Sequence, residues 1–159
     1  MKTSAGILMY RHAGDELEVF LVHPGGPFWA KKEAGSWSIP KGEYTSDEEP
    51  LAAARREFKE ETGFDVEGDF IPLAAIKQKG GKIVSAWAIE GSIDADAIQS
   101  NMFSMEWPPK SGRQTEFPEV DRAGWFSVDE ARIKLNAGQV PLVDALCNHL
   151  ADNVDSEAT

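Results

Sequence analysis

Cysteine is nearly absent from this chain of 159 residues. Cys147 is the single one, so no internal disulfide can form and nothing in the sequence requires an oxidising compartment. Long apolar runs are missing too, because no stretch approaches the roughly 20 residues that a membrane-spanning helix needs. The N-terminus has only Lys2 ahead of an apolar stretch that is too short for a signal peptide. These absences exclude disulfide scaffolds and membrane spans, and they predict a cytoplasmic protein with no membrane partner.

Positive charge is also scarce. Lys and Arg number 16 against 27 Asp and Glu, which gives a formal net charge of −11. A surface of that sign repels polyanions, so we expect no DNA, RNA or anionic membrane as an unaided partner. Three explanations remain open: a cationic partner, a device for solubility, or carboxylates gathered to hold a metal ion. Hydrophobic residues at 42% are normal for a globular chain, and the length suits one domain with a core.

Hydrophobic patterning predicts a mixture of strands and helices. The runs Ala5–Arg11 and Leu17–His23 predict a β-hairpin. Other predicted strands are Trp37–Ile39, Phe70–Lys79, Lys82–Glu90 (after a turn at Gly80-Gly81) and Arg122–Phe126. Predicted helices are Pro50–Thr62, a short helix opened by a capping box at Ser127–Glu130, and an amphipathic helix from about Pro141 to Leu150. The long stretch Ile93–Glu119 is predicted to be irregular. The pattern favours an α/β (α+β) domain over residues 1–151, with residues 152–159 as a polar, loosely ordered tail.

The helix at Pro50–Thr62 carries the clearest chemical signal. Glu57, Glu60 and Glu61 are spaced i, i+3 and i+4, so their carboxylates project from one side. Such like charges repel, and a hard divalent cation such as Mg²⁺ or Mn²⁺ would offset that repulsion with oxygen ligands alone. No His or Cys lies near, which argues against zinc. For three glutamates by themselves, a solvated acidic face is the simpler interpretation.

The spacing of further residues around this helix favours a metal site over a solvated acidic face. Gly42 is followed after five residues by Glu48, and after seven more by Arg56-Glu57-Phe58-Lys59-Glu60-Glu61-Thr62-Gly63-Phe64. This arrangement resembles the Nudix box, Gly-x5-Glu-x7-Arg-Glu-U-x-Glu-Glu-x-Gly-U with U a bulky apolar residue, at every fixed position. The chain is therefore identified as a member of the Nudix hydrolase family. The resemblance implies a single-domain α/β/α sandwich with a mixed central β-sheet.

The same resemblance implies a function. Nudix hydrolases cleave a nucleoside diphosphate linked to another group, with a divalent metal, here Mg²⁺ or Mn²⁺, and water. It also implies metal ligands, namely Glu57, Glu60, Glu61 and the backbone carbonyl of Gly42. Arg56 would orient one of the glutamates, and Glu48 would support that network or a further metal. Glu60 is the first candidate for the base that activates water, with Glu116 or Glu119 as the alternative.

Substrate recognition is predicted from residues at and beyond the box. Pro40-Lys41-Gly42 resembles the entry to the box in the diadenosine polyphosphate hydrolase branch, so Lys41 is expected to bind a phosphate oxygen. Candidates for stacking on a base are Trp29, which is preferred, and Phe28, Tyr44, Phe103, Trp107 and Phe117. Candidates for distal phosphates are Lys77, Lys79, Lys82, Lys110 and Arg113. Trp37, Trp87 and Trp125 are expected in the core, as is Cys147.

Two functional hypotheses from different classes remain. The first is a metal-dependent pyrophosphohydrolase acting on a small nucleotide substrate, with a dinucleoside polyphosphate or a nucleoside triphosphate among the candidates. The second is a catalytically silent Nudix-fold module that senses or binds a nucleotide. An intact box favours the first. A monomer and a homodimer are both compatible with the sequence.

Overall fold

The computed structural model describes residues 2–78 and 80–158, with side chains described up to Asp152. Within these ranges the chain forms one mixed sheet of seven strands, in the order β4-β6-β1-β2-β9, with β3 beside β1 and β5 beside β6. The strands of this sheet are β1 Thr3–Ala13, β2 Glu16–Pro24, β3 Lys41–Glu43, β4 Ile71–Pro72, β5 Ile76–Lys77, β6 Ile83–Glu90 and β9 Val120–Ser127. Strands β1 and β6 run parallel, and the other pairs are antiparallel.

Side chains of the central strands alternate between two apolar layers, as the two-residue period of a strand requires. Ile7 and Phe20 point to one face, where they pack with Phe58 of α1, Pro50–Thr62. Leu8 and Leu21 point to the other, under the helices α2, Val128–Lys134, and α3, Val140–Ala158. The result is the predicted single-domain α/β/α sandwich, with a core on each side of the sheet.

The helix that carries the acidic motif has the predicted bounds. α1 begins with Pro50 in its first turn, where a missing N–H costs nothing, and ends at Thr62. Gly63 follows with φ of 83°, and its N–H closes the last turn on the carbonyl of Lys59. The predicted capping box is present in part, because the Ser127 hydroxyl accepts from the Glu130 N–H and donates to the Glu130 carboxylate.

Three strand predictions need correction. The segment Phe70–Lys79 is not one long strand, since it holds only the short edge strands β4 and β5; Lys79 lies outside the described residues. Trp37–Ile39 forms isolated bridges instead of a strand. The stretch Ile93–Glu119 is not wholly irregular, because it contains a 3₁₀ turn at Ala95–Ala97 and a separate hairpin of β7, Met102–Glu106, and β8, Gln114–Pro118.

The C-terminal helix is longer than predicted. α3 begins at Val140 and continues to Ala158, so the backbone of residues 152–158 is helical and not a loose tail. The division of the chain into residues 1–151 and 152–159 stays a prediction. No helix in the described part of the chain combines the length and apolar character needed to cross a membrane.

Candidate active site

The acidic face of α1 is set against β3, the strand that enters the motif. Gly42 in β3 pairs with Ala5 of β1, and its Cα faces the Glu57 carboxylate. A Cβ built on Gly42 would overlap the carboxylate carbon and both oxygens of Glu57. The motif therefore needs glycine here for space and not for an unusual φ. This close approach brings the main chain of β3 to the metal-ligand candidates of the helix.

Arg56 gathers three carboxylates around its guanidinium group. It donates to both oxygens of Glu48, from Nε at 2.8 Å and from Nη2 at 2.9 Å. Its Nη1 donates to Glu57 at 2.8 Å and lies 3.3 Å from both oxygens of Glu60. The two parallel bonds to Glu48 fix the plane of the guanidinium, so Glu48 holds the arginine and the arginine holds the glutamates. Hydrogen bonding to Glu48 raises the pKa of Arg56 and lowers that of Glu48.

Lys41 and Glu61 meet on the other side of the acidic face. The Lys41 ammonium group and the Glu61 carboxylate attract one another, and both line the same cavity. Burial lowers the pKa of Lys41, and the ammonium group of Lys82 lowers it further. A partly desolvated lysine beside a carboxylate is well placed to donate hydrogen bonds to a phosphate oxygen when a cation binds that carboxylate.

A cavity of about 180 Å³ opens beside these two residues. Its lining joins the sheet, the loop before β3, helix α1 and the start of β9, and consists of Val22, Pro24, Ser38, Lys41, Glu61, Glu119 and Val120. The structure thus brings Glu119, 58 positions beyond Glu61 in the sequence, to the same cavity. Glu116 is exposed on β8, opposite Ser104 of β7, and is not part of this lining.

The backbone path explains how Glu119 arrives there. The N–H of Asn101 donates to the carbonyl of Glu60 at 2.8 Å, and the carbonyl of Asn101 accepts from the Glu119 N–H at 2.8 Å. The Gln99 N–H satisfies the Thr62 carbonyl at the same helix end. Asn101 therefore ties the C-terminal turn of α1 to the strand end that carries Glu119. Nothing in the local sequence around Asn101 signals this function.

Burial and like charge act together on the carboxylates of the site. Burial raises the pKa of Glu57, Glu61 and Glu119, most strongly that of Glu61. The charge of Glu57 raises the pKa of Glu61 further, and that of Glu60 acts on Glu119. These carboxylates share a region where the charged forms are costly in the absence of a cation.

The chemistry of these donors suits a hard divalent ion, although the side chains are not gathered around one point. Glu57 and Glu61 are oxygen donors on adjacent turns, and Gly42 leaves room for the Glu57 carboxylate. Among the residues that the structure describes, no group of three or more His, Cys, Asp or Glu side chains is spaced to hold a metal ion. Glu57 and Glu60 are engaged by Arg56 instead. The ligand set of Gly42, Glu57, Glu60 and Glu61 thus stays a prediction.

The candidate stacking residues lie in two segments that touch. Phe28 packs edge-to-face on Trp107 of the loop between β7 and β8, with ring centroids 5.7 Å apart. Trp29 is 40% exposed, and the ammonium group of Lys32 lies 5.0 Å from its ring centre. Phe103 and Phe117 face one another across the hairpin, whereas Tyr44 packs against the core beneath α1. Trp29 remains a candidate for base stacking, as predicted.

His23 is a supporting residue that the sequence did not reveal. It is fully buried, and its ring nitrogens lie 2.8 Å from the Asp121 carboxylate and 2.7 Å from the Lys32 carbonyl. It therefore joins β9 to the loop that carries Trp29. A buried polar side chain in an otherwise apolar strand was the available signal, but its partners are distant in sequence.

The other aromatic predictions hold, since Trp37 is buried and Trp87 and Trp125 pack partly buried against the core. Cys147, on α3, packs partly buried against the core.

Fold and motif together define a single α/β/α domain whose acidic helix carries the Nudix box. The family model described as the NUDIX domain matches residues 1–146, and the chain belongs to the Nudix family. It is 31% identical over 80 residues to mRNA-decapping enzyme subunit 2 of Arabidopsis thaliana. That stretch is 47% of this chain and 21% of the relative, so the match spans about a fifth of that protein's length.

Solved structures share the fold at low identity. A C. elegans Ap4A hydrolase in a binary complex has a TM-score of 0.66 and 22% identity, covering 96% of this chain and 99% of that one. The NUDIX domain of Shewanella oneidensis NrtR, complexed with ADP ribose, has a TM-score of 0.64 and 17% identity, covering 93% and 87%. A mutT/nudix family protein from Listeria innocua has a TM-score of 0.63 and 16% identity, covering 96% of each chain. These likenesses show the fold alone.

Proposed function

We propose that this protein hydrolyses a pyrophosphate linkage in a nucleoside diphosphate derivative, with a divalent metal and a water activated by a carboxylate. The observation that carries the proposal is the cavity in which Lys41, Glu61 and Glu119 meet, beside the glutamates held by Arg56. It combines a cation for phosphate with several desolvated carboxylates. Nucleotide pyrophosphate hydrolysis is also the general activity of the family to which the chain belongs.

The residues that would hold Mg²⁺ or Mn²⁺ are Glu57, Glu60, Glu61 and the carbonyl of Gly42. When bound, the ion would neutralise phosphate charge and lower the pKa of a water. The raised pKa values of Glu57 and Glu61 support this assignment, because a bound cation would stabilise their ionised carboxylates, which burial disfavours.

Arg56 and Glu48 would act as positioning residues. The guanidinium is locked by both oxygens of Glu48, and it presents Nη1 to Glu57 and Glu60. One arginine thus sets the orientation of two candidate ligands. Replacing it by lysine would keep the charge and lose the forked geometry, which is why the two residues are not equivalent here.

The water-activating base is assigned to Glu60, with Glu119 as the second candidate. Glu60 lies on the exposed edge of the acidic face, with 34% of its side chain accessible, so it can reach a water. Glu119 lines the cavity itself, and burial raises its pKa. A Glu60→Gln variant that loses far more turnover than Glu119→Gln would favour the first assignment; the reverse order would favour the second.

The substrate is proposed to be a small nucleotide, with Lys41 on a phosphate and Trp29 on a base. The C. elegans neighbour is an Ap4A hydrolase and the Shewanella neighbour was complexed with ADP ribose, so both compounds belong in the test. A dinucleoside polyphosphate is the first candidate because Pro40-Lys41-Gly42 resembles the motif of that branch. Cytoplasmic location, an absence of DNA binding and a possible homodimer also stay proposals.

The deciding experiment is turnover of a substrate panel with purified protein. The panel contains diadenosine tetraphosphate, nucleoside triphosphates, ADP-ribose and capped RNA, each with Mg²⁺, with Mn²⁺ and with a chelator. We expect metal-dependent cleavage of at least one compound and its loss in Glu60→Gln. Glu16→Gln, an exposed glutamate at the start of β2, is the matched control and should keep full activity. Turnover that is unchanged in Glu60→Gln would contradict the proposed site.

A nucleotide-sensing module is the competing function. It predicts binding of a nucleotide, measured by calorimetry, with no product formed under any metal condition. The intact Nudix box and the desolvated carboxylates favour the hydrolase.

A further inference from the structure

A groove lined by three lysines lies at the open end of the sheet. Lys2, Lys77 and Lys82 border it together with the turn Gly80-Gly81, and it encloses about 460 Å³. The sheet itself brings them together. Thr3 pairs with Ile83 in the parallel β1–β6 ladder, so Lys2 and Lys82 lie side by side, and Lys77 pairs with Ile83 from the opposite side.

The charge of this groove contrasts with the rest of the chain. The whole sequence carries −11, yet the described lining contains three lysines and no carboxylate. Glu43 supplies a counter-charge beside the groove, and both Lys2 and Lys82 approach its Oε1 at 3.8 Å. One exposed carboxylate shared between two ammonium groups at that distance leaves net positive charge. Like charges gathered in a concave surface cost free energy unless an anion offsets them.

Strand β3 links the groove to the proposed active site, because Lys82 approaches Glu43 at its end. Glu43 ends β3, which begins with Lys41, and Lys82 is close enough to interact electrostatically with Lys41. Along β1, the position of Lys2 is four residues from Gly6, the partner of Lys41. Four residues of strand span about 13 Å. A row of cations thus leads from the cavity at Glu61 to the hairpin turn, over a length that suits several linked phosphates.

We propose that this lysine groove binds the distal phosphates of the substrate, which makes the preferred substrate a nucleotide with a chain of more than two phosphates. The inference rests on the proposed function, since the groove is assigned to the same substrate that is cleaved beside Lys41. Lys82 borders the groove and interacts electrostatically with Lys41 of the cavity. Lys77 and Lys2 hold the end of the chain.

The test compares substrates that differ in phosphate number. In the double variant Lys77→Gln/Lys82→Gln, we expect the ratio of KM for diadenosine tetraphosphate to KM for ADP-ribose to rise about tenfold, with little change in kcat. The reason is that two charge-assisted contacts to the longer phosphate chain are lost. Lys31→Gln, an exposed lysine in the loop before β3, is the matched control for one charge. The ratio of its KM for diadenosine tetraphosphate to its KM for ADP-ribose should equal that of the unaltered protein. An equal change for both substrates, or none, would overturn the groove assignment.

A second measurement separates this inference from the proposed hydrolysis. Inorganic tripolyphosphate is titrated into the protein by calorimetry in a chelating buffer, so neither metal nor cleavage is involved. Binding that weakens about tenfold in the double variant and not in Lys31→Gln supports the groove, even if no substrate of the panel is cleaved. Absence of tripolyphosphate binding, or binding that is equal in all three proteins, contradicts the groove, even if the panel reveals turnover.

Discussion

At the scale of single residues, the site depends on the absence of a Cβ at Gly42. A Cβ on Gly42 would occupy the space of the Glu57 carboxylate. We therefore expect Gly42→Ala to lower kcat/KM by about a hundredfold, the effect of displacing a reacting group by about 1 Å, while the circular dichroism spectrum stays that of a folded protein. The measurement is steady-state turnover of the best substrate with Mg²⁺.

Gly91 offers a control for that substitution. A Cβ there would lie 3.4 Å from Cε of Met9, an ordinary contact, so Gly91→Ala should keep turnover within about twofold. Equal activity of the two variants would show that the close approach of β3 to Glu57 is not needed.

His23 supports stability through two buried hydrogen bonds. A His23→Phe substitution fills similar space but leaves the Lys32 carbonyl with only the Ser36 hydroxyl as donor, at 3.1 Å, and removes the hydrogen bond to the Asp121 carboxylate. We expect the free energy of unfolding to fall by about 2 kcal/mol, within the range for a lost hydrogen bond to a charged group. Urea denaturation followed by tryptophan fluorescence measures it. His12, with a half-exposed side chain, is the comparison: His12→Phe should change stability by less than about 0.5 kcal/mol.

At the scale of elements, the acidic face of helix α1 destabilises the folded state when its carboxylates are ionised. Burial and the Glu57 charge raise the pKa of Glu61 well above its usual 4.5. Between that usual value and the raised one, the folded state holds a proton that the unfolded chain has released. Stability from this group is therefore full below about pH 4.5 and declines as the pH rises through the raised pKa.

Glu61→Gln removes that titration. In a chelating buffer, we expect the Tm of the variant minus that of the unaltered protein to increase as the pH rises above about 4.5 and to level off once the pH exceeds the raised pKa of Glu61. Differential scanning calorimetry with Glu16→Gln as the exposed control measures it. Adding Mg²⁺ should raise the Tm of the unaltered protein and act less on the variant, because a cation offsets the repulsion that glutamine lacks. A difference that is flat with pH would contradict the electrostatic explanation.

Elements with a complete local signal could be predicted, and the others could not. α1 has an apolar stripe, Pro50 at its start and Gly63 at its end, so its bounds follow from its own residues. The hairpin of β7 and β8 has no such signal, because its strands are short and half-exposed and the loop between them contains Trp107-Pro108-Pro109. The residues of the candidate site also differ in whether a local sequence pattern identifies them. Residues of the box could be assigned from spacing, whereas Glu119 is held at the cavity by backbone hydrogen bonds to Asn101 and Gly25, which are distant from it in the sequence.

At the scale of the whole molecule, helix α3 determines how far along the chain the described core extends. Leu142, Val143 and Leu146 are fully buried under the sheet, and Leu150 packs partly buried against them. Ala151 and Asp152 are exposed, and residues 152–159 contribute Asp152, Asp155 and Glu157 to the negative charge. The core thus has its last described apolar contact at Leu150.

A chain of residues 1–151 keeps every described apolar contact between α3 and the core, so we expect its free energy of unfolding to stay within about 0.5 kcal/mol of that of the full chain. Ending the chain after residue 145 removes Leu146, Cys147 and Leu150 and should cost several kcal/mol, at about 2–5 kcal/mol for each large buried side chain. Guanidinium denaturation of the three proteins measures both effects. A large loss in the 1–151 chain would mean that residues 152–159 belong to the folded domain, and the boundary would then move to the end of α3.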